Sequence, residues 1–170
     1  MLSIAQVGEE VLSQKAANVT QIDAHIHALA QTMLDTLQEA KGVGLAAPQV
    51  HESIAMFIMA SHPNERYPDA PLVRPTVVIN PSILTGSDVM ETGEEGCLSI
   101  KTQRFSILRH QWVDVRYQSL EGEWIEERLT GFIARIFQHE YDHLQGITID
   151  KRAETQNASA KTLHSSKVSP

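Results

Sequence analysis

Thr130-Gly131-Phe132-Ile133-Ala134-Arg135-Ile136-Phe137-Gln138-His139-Glu140-Tyr141-Asp142-His143-Leu144-Gln145-Gly146 reads as one amphipathic helix with chemistry near its end. Phe132, Ile133, Ile136, Phe137 and Leu144 keep helical spacing, Thr130 stands where an N-cap belongs, and Gly146 closes the pattern. His139 and His143 are one turn apart, so both imidazoles leave the same face and can take two corners of a tetrahedral metal site. Glu140 lies beside them, placed to accept a proton from water. The longer pattern His-Glu-x-x-His-x-x-Gly-x-x-His is followed as far as Gly146, but Ile149 stands where its third His would be.

A third ligand must then come from elsewhere. Glu154 is the only glutamate after His143 and opens a polar tail, which leaves Cys97 in Gly93-Glu94-Glu95-Gly96-Cys97-Leu98-Ser99 as the best candidate. Most lone cysteines are small buried hydrophobes. Here, flanking glycines allow close backbone approach and would expose a thiolate. Three protein ligands, Cys97, His139 and His143, leave a fourth position for water, as in catalytic rather than structural sites.

Outward from these segments, the chain has the balance of one ordinary domain: 170 residues, 42% hydrophobic and 21% charged. Such a chain buries roughly 70% of its extended surface, so it needs no metal merely to fold and a bound metal is functional. A net charge of -7 without a basic run disfavours nonspecific nucleic-acid binding. No apolar run spans a membrane, the first residues lack the marks of a secretory signal, and the one Cys cannot form an internal disulfide. The expected compartment is the cytoplasm.

Ile22, Ile26, Leu29, Met33 and Leu37 predict a helix over 24–40, N-capped by Asp23 with Gly42 beyond its end. The segment Gly42-Val43-Gly44-Leu45-Ala46-Ala47-Pro48-Gln49 reads as a turn, 54–60 as a strand and 61–75 as a polar, proline-containing loop. Val77-Val78-Ile79 reads as a strand stopped by Asn80-Pro81, since Pro cannot donate to a ladder. Alternating Val113, Val115 and Tyr117, a Glu121-Gly122 turn and 124–129 predict an antiparallel hairpin. The expected organisation is a single catalytic domain over 1–152 and a weakly ordered polar tail over 153–170.

Gly42-Val43-Gly44-Leu45-Ala46-Ala47-Pro48-Gln49, Glu95-Gly96-Cys97-Leu98-Ser99 and Gln138-His139-Glu140-Tyr141-Asp142-His143-Leu144-Gln145-Gly146, in this order and spacing, together resemble peptide deformylase. The resemblance runs from about Ile4 to Arg152. It implies an α+β fold with antiparallel β-sheets around a central metal-binding helix carrying His-Glu-x-x-His, plus an N-terminal helix, in agreement with the elements above. It implies a hydrolase that removes the N-formyl group from the N-terminal methionine of nascent polypeptides and releases formate. It further implies one divalent ion, natively Fe2+ with Zn2+ or Ni2+ able to replace it; ligand softness alone would suggest zinc.

By the same resemblance, the Leu98 backbone N–H and the Gln49 amide stabilise the oxyanion, and Glu95 tethers its motif near the metal helix. Gly44 lets a peptide approach the backbone, Arg104 touches substrate, and Val43, Phe132 and Ile136 line the methionine pocket, although Phe132 and Ile136 also fit a plain core. N-formylmethionyl nascent peptides are the expected partners. Lys161 and Lys167 make the tail mildly basic, which suggests ribosome association. The chain departs from the family at Lys101, where Pro is usual, and at His51, where Gly is frequent; both are expected to flank the substrate cleft. A metallopeptidase cutting internal amides and a catalytically silent binding protein are the competing readings.

Overall fold

A computed structural model describes residues 1–168, with side chains through Ala158. The described chain is α+β. Its helices are α1 (Ala24–Glu39), α2 (Gly131–Leu144) and α3 (Ile149–Val168). Its strands are β1 (Gly44–Ala46), β2 (Met56–Met59), β3 (Thr76–Gly86), β4 (Met90–Cys97), β5 (Ile100–His110), β6 (Trp112–Gln118) and β7 (Trp124–Thr130). A five-stranded antiparallel sheet has the order β1-β2-β3-β6-β7, and β4 and β5 form a separate two-stranded ribbon.

The sheet lies between the first two helices. Met56 and Ile58 of β2 pack with Ile26, Leu29, Met33 and Leu37 of α1, whereas Phe57 and Met59 turn to Ala134, Ile136 and Phe137 of α2. Burial on both faces explains why β2 is a continuous apolar run rather than an alternating one. Asp23 caps α1 by accepting from Ile26 N at 3.1 Å, as expected. At the other end, Lys41 rather than Gly42 takes the left-handed conformation, φ 57°. Gly42 is needed for space, because a Cβ there would lie 2.8 Å from Leu37 Cδ1. Gly146 ends α2 at φ 75°, with Ser13 O 2.7 Å from where its Cβ would be.

Three expectations change. Asn80-Pro81 does not stop β3: Asn80 adopts φ 50° at a register shift, and its amide bonds Val19 N, Val19 O and Gln118 Oε1 while the strand resumes. The bulge takes Pro81 out of the ladder, which is how a strand tolerates it. The expected turn 42–49 contains β1 and a 3-10 turn over Ala47–Val50. The segment expected to be a weakly ordered tail is helical through Val168. Its first turns pack: Ala153 is buried with Cys97, Ile107 and Ile149, and Gln156 bonds both Leu108 N and Leu108 O at 3.0 Å. Lys161 and Lys167 lie outside the described side chains.

Candidate metal centre and active site

Cys97 ends β4, and His139 and His143 project from α2 toward it. Their ligand atoms lie within 4.8 Å of one another and all three residues are buried. Cys97 Sγ is 3.3 Å from His143 Nε2. His139 Nδ1 sits 2.8 Å from Glu95 Oε1, which fixes the ring and leaves Nε2 to face the sulfur. Burial opposes a Cys97 thiolate, but the His143 and His139 imidazoles outweigh it and hold the thiol well below its ordinary range. One thiolate and two imidazoles, converged and buried, fit a single divalent ion. Ile149, in place of a third His, packs behind Cys97 instead.

Glu140 is buried beside these donors, and its Oε1 has no hydrogen-bond partner. Burial raises its carboxyl above the ordinary range, against the pull of His139 and His143. Its other oxygen has a seat because residue 44 is glycine: a Cβ there would lie 2.5 Å from Glu140 Oε2. Gln49, also buried, accepts from Ala46 N at 2.9 Å and donates to Ser99 Oγ at 3.0 Å, with Cys97 Sγ at 3.5 Å. Leu98 begins the two-residue turn joining β4 to β5, directly after Cys97.

One cavity brings most of the expected residues together. Val43, Gly44, Gln49, Glu95, Cys97, Leu98, Phe132, Ile136, His139 and Glu140 line it. Ile136 is also core, as its 4% exposure shows, while Phe132 is half-buried. β1 and β4 each pair on one side only, and both border the cavity. The residues match the sequence profile of the polypeptide deformylase family over positions 1–159. The chain belongs to that family.

It is 59% identical over 153 residues to peptide deformylase 2 of Shewanella oneidensis, covering 90% of this chain and 84% of that one. It is 41% identical over 152 residues to the peptide deformylase of Thermotoga neapolitana, covering 89% and 87%. Among solved structures, the Met-Ala-Ser-bound class I type b peptide deformylase from Acinetobacter baumannii superposes with a TM-score of 0.87 at 45% identity, covering 89% of this chain and 98% of that one. The family consists of metal-dependent enzymes that remove the N-formyl group from nascent polypeptides, and this chain is one of them.

Other parts of this deformylase differ from expectation. Arg104 lies beyond the cavity lining, with its guanidinium 5.0 Å from the centre of the Tyr67 ring, at the rim of an outer groove. Lys101 and His51 are not among the residues lining the cavity. His51 takes the left-handed conformation, φ 69°, which explains why glycine suits that position. Sequence reasoning missed the groups behind Glu95. It accepts from Arg109 Nε and Nη2, both at 2.9 Å, and from Arg135 Nη1 at 2.7 Å. Arg109 Nη1 also donates to Asp142 at 2.6 Å, and Arg152 holds Asp142 at 2.7 and 3.0 Å. Asp142 sits inside the metal motif, and its position between the two His was the one available signal.

Proposed function

We propose that Cys97, His139 and His143 hold one divalent ion, Fe2+ in the cell with Zn2+ or Ni2+ as substitutes, and that this chain deformylates N-formylmethionyl peptides at that centre. The observation carrying this reading is the convergence of three soft, buried donors beside a buried carboxylate whose Oε1 has no hydrogen-bond partner, under a cavity bordered by two strands that each pair on one side only. The ion would supply Lewis acidity and water of lowered pKa. Glu140 takes the proton from the attacking water and delivers it to the departing amine, a task suited to a carboxyl held above its ordinary range. The Leu98 N–H and the Gln49 amide donate to the formyl oxygen as charge develops. Ser99 retains one Gln49 N–H, and the hydrogen near Cys97 Sγ is the one redirected.

The peptide extends between the free edges of β1 and β4, making main-chain hydrogen bonds as an added strand does. Val43, Phe132 and Ile136 receive the methionine side chain, Gly44 and Glu95 shape the floor, and Arg104 meets residues farther along. The catalytic domain, expected over 1–152, takes in the first turns of α3. Metal-loaded, anaerobically prepared enzyme is expected to release formate from formyl-Met-Ala-Ser. Glu140→Ala should lower kcat about 10²- to 10⁴-fold with metal content unchanged. Near-parental turnover by the loaded variant would reject the proton-transfer role.

Among the described residues no helix is long and apolar enough to cross a membrane. We assign the enzyme to the cytoplasm, with Lys161 and Lys167 contributing to ribosome association. Truncation after Ala158 should then weaken ribosome cosedimentation, and unchanged cosedimentation would dispose of that contact.

A further inference from the structure

α2 lies between two cavities that share no lining residue. The active cavity takes Ile136, His139 and Glu140 from one side of the helix, and a second takes Gln138, Tyr141 and Asp142, three and four positions apart, from another. The second cavity has a volume of about 230 Å³, below the range of drug-sized sites, so it suits a small molecule. Its apolar wall is Ile83, Met90, Leu108 and the Tyr141 ring, with Met90 and Leu108 open to solvent.

The polar lining divides into groups already spent and groups left over. Gln138 clasps His110 N and O, and Gln156 clasps Leu108 N and O, all at 3.0 Å. Those four backbone groups of β5 are thereby closed to an added strand, which disfavours a docked peptide. Arg152 holds Asp142 through Nε and Nη2, one edge of its guanidinium, at 3.0 and 2.7 Å. Among the described residues its Nη1 has no partner, and neither has the Tyr141 hydroxyl. The other edge, Nη1 with the second Nη2 hydrogen, is a fork that fits a planar carboxylate.

Charge favours the same occupant. Arg109 and Arg152 line the cavity against Asp142 alone, and His110 adds no negative charge. Behind them Glu95 is shared by Arg109 and Arg135, so three guanidiniums meet two carboxylates in the whole array. This excess of positive charge lies within a chain whose net charge is -7.

We propose that this cavity is a binding site for a small monocarboxylate with an apolar tail, separate from the site of deformylation. Arg152 takes the carboxylate on its free edge, Tyr141 donates to it, and Ile83, Met90 and Leu108 cover the tail. The ligand then stands one guanidinium away from the Asp142–Arg109–Glu95 chain behind His139.

The test is calorimetric titration of zinc-loaded enzyme with 4-methylpentanoate at constant ionic strength, with Met-Ala-Ser in excess to fill the active cavity. A ligand of eight non-hydrogen atoms should bind with a Kd of about 0.1 to 1 mM. 4-Methylpentanamide, which lacks the charge, and acetate, which lacks the tail, should each bind at least about tenfold more weakly. Met90→Glu sets a like charge at the open side of the wall and should weaken binding about tenfold, with melting temperature and formate release parental. Arg152→Lys keeps the charge but loses the fork, and should weaken binding about fivefold. Equal binding of the amide, or parental affinity in both variants, would overturn the proposal. So would a Kd above about 10 mM, or displacement by Met-Ala-Ser, which would put the carboxylate in the active cavity instead.

Discussion

Two arrays of arginine and carboxylate, one behind the metal helix and one on the outer face of the β6–β7 hairpin, use the same chemistry in opposite surroundings. Behind α2, Arg109 bridges Glu95 and Asp142, with Arg135 and Arg152 completing the set. Outside, Arg128 forks onto Asp114 and lies 3.6 Å over Trp112, while Arg116 meets Glu126 and lies 3.8 Å over Trp124. Glu95 and Asp114 are pulled below, and Arg109 and Arg128 pushed above, their ordinary ranges. Only the inner array opposes a large burial cost, with Glu95 2% and Arg109 4% exposed. Inner partners are therefore indispensable to one another, whereas outer ones are screened by water.

The largest break in this contrast is Arg109→Met. It strips Glu95 of two hydrogen bonds and Asp142 of one inside the protein, and should cost about 3 to 5 kcal/mol in urea unfolding. Because Glu95 orients His139, metal affinity should fall as well, by about 10- to 100-fold. A loss below about 1 kcal/mol with parental metal affinity would show that the inner array is as dispensable as the outer.

A subtler test uses pH. Glu95 is held well below its ordinary value of 4.5 in the fold, so on acidification the unfolded chain takes up its proton first. The stability it contributes is complete above that value and is lost as pH falls through the folded one. Glu95→Gln should flatten the acid limb of the stability curve, while Asp114→Asn should leave it nearly unchanged; equal flattening would erase the distinction. The smallest expected effect is Arg128→Met, with a melting temperature indistinguishable from parental in 1 M salt. A clear loss there would give the outer face a structural role.

Legibility in the sequence followed periodicity. α1, α2 and the β6–β7 hairpin bury one regular face and were readable, and the motifs pointed to the side chains that the fold brings together, Cys97, His139, His143 and Glu140. The β4–β5 ribbon was not. Met90-Glu91-Thr92-Gly93-Glu94-Glu95-Gly96-Cys97 is polar and mostly exposed until its last residues, so it has no alternation to detect. β1 is three residues long within a Gly- and Pro-containing segment, and α3 has few large apolar residues beyond its first turn. Arg109, Arg135 and Arg152 were hidden for another reason. A lone arginine reads as solvated, and only the folded chain shows that these three enclose two carboxylates distant in sequence.

Gly44 has a reach that its size conceals. The space it leaves is filled by a carboxylate from a helix much later in the chain, so what is written at position 44 limits what can be written at position 140. An added methyl would displace the Glu140 side chain without meeting Cys97, His139 or His143. The opening motif and the metal helix are thus one heritable unit, and a recombinant inheriting them from different parents keeps its chemistry only where both parents left that gap.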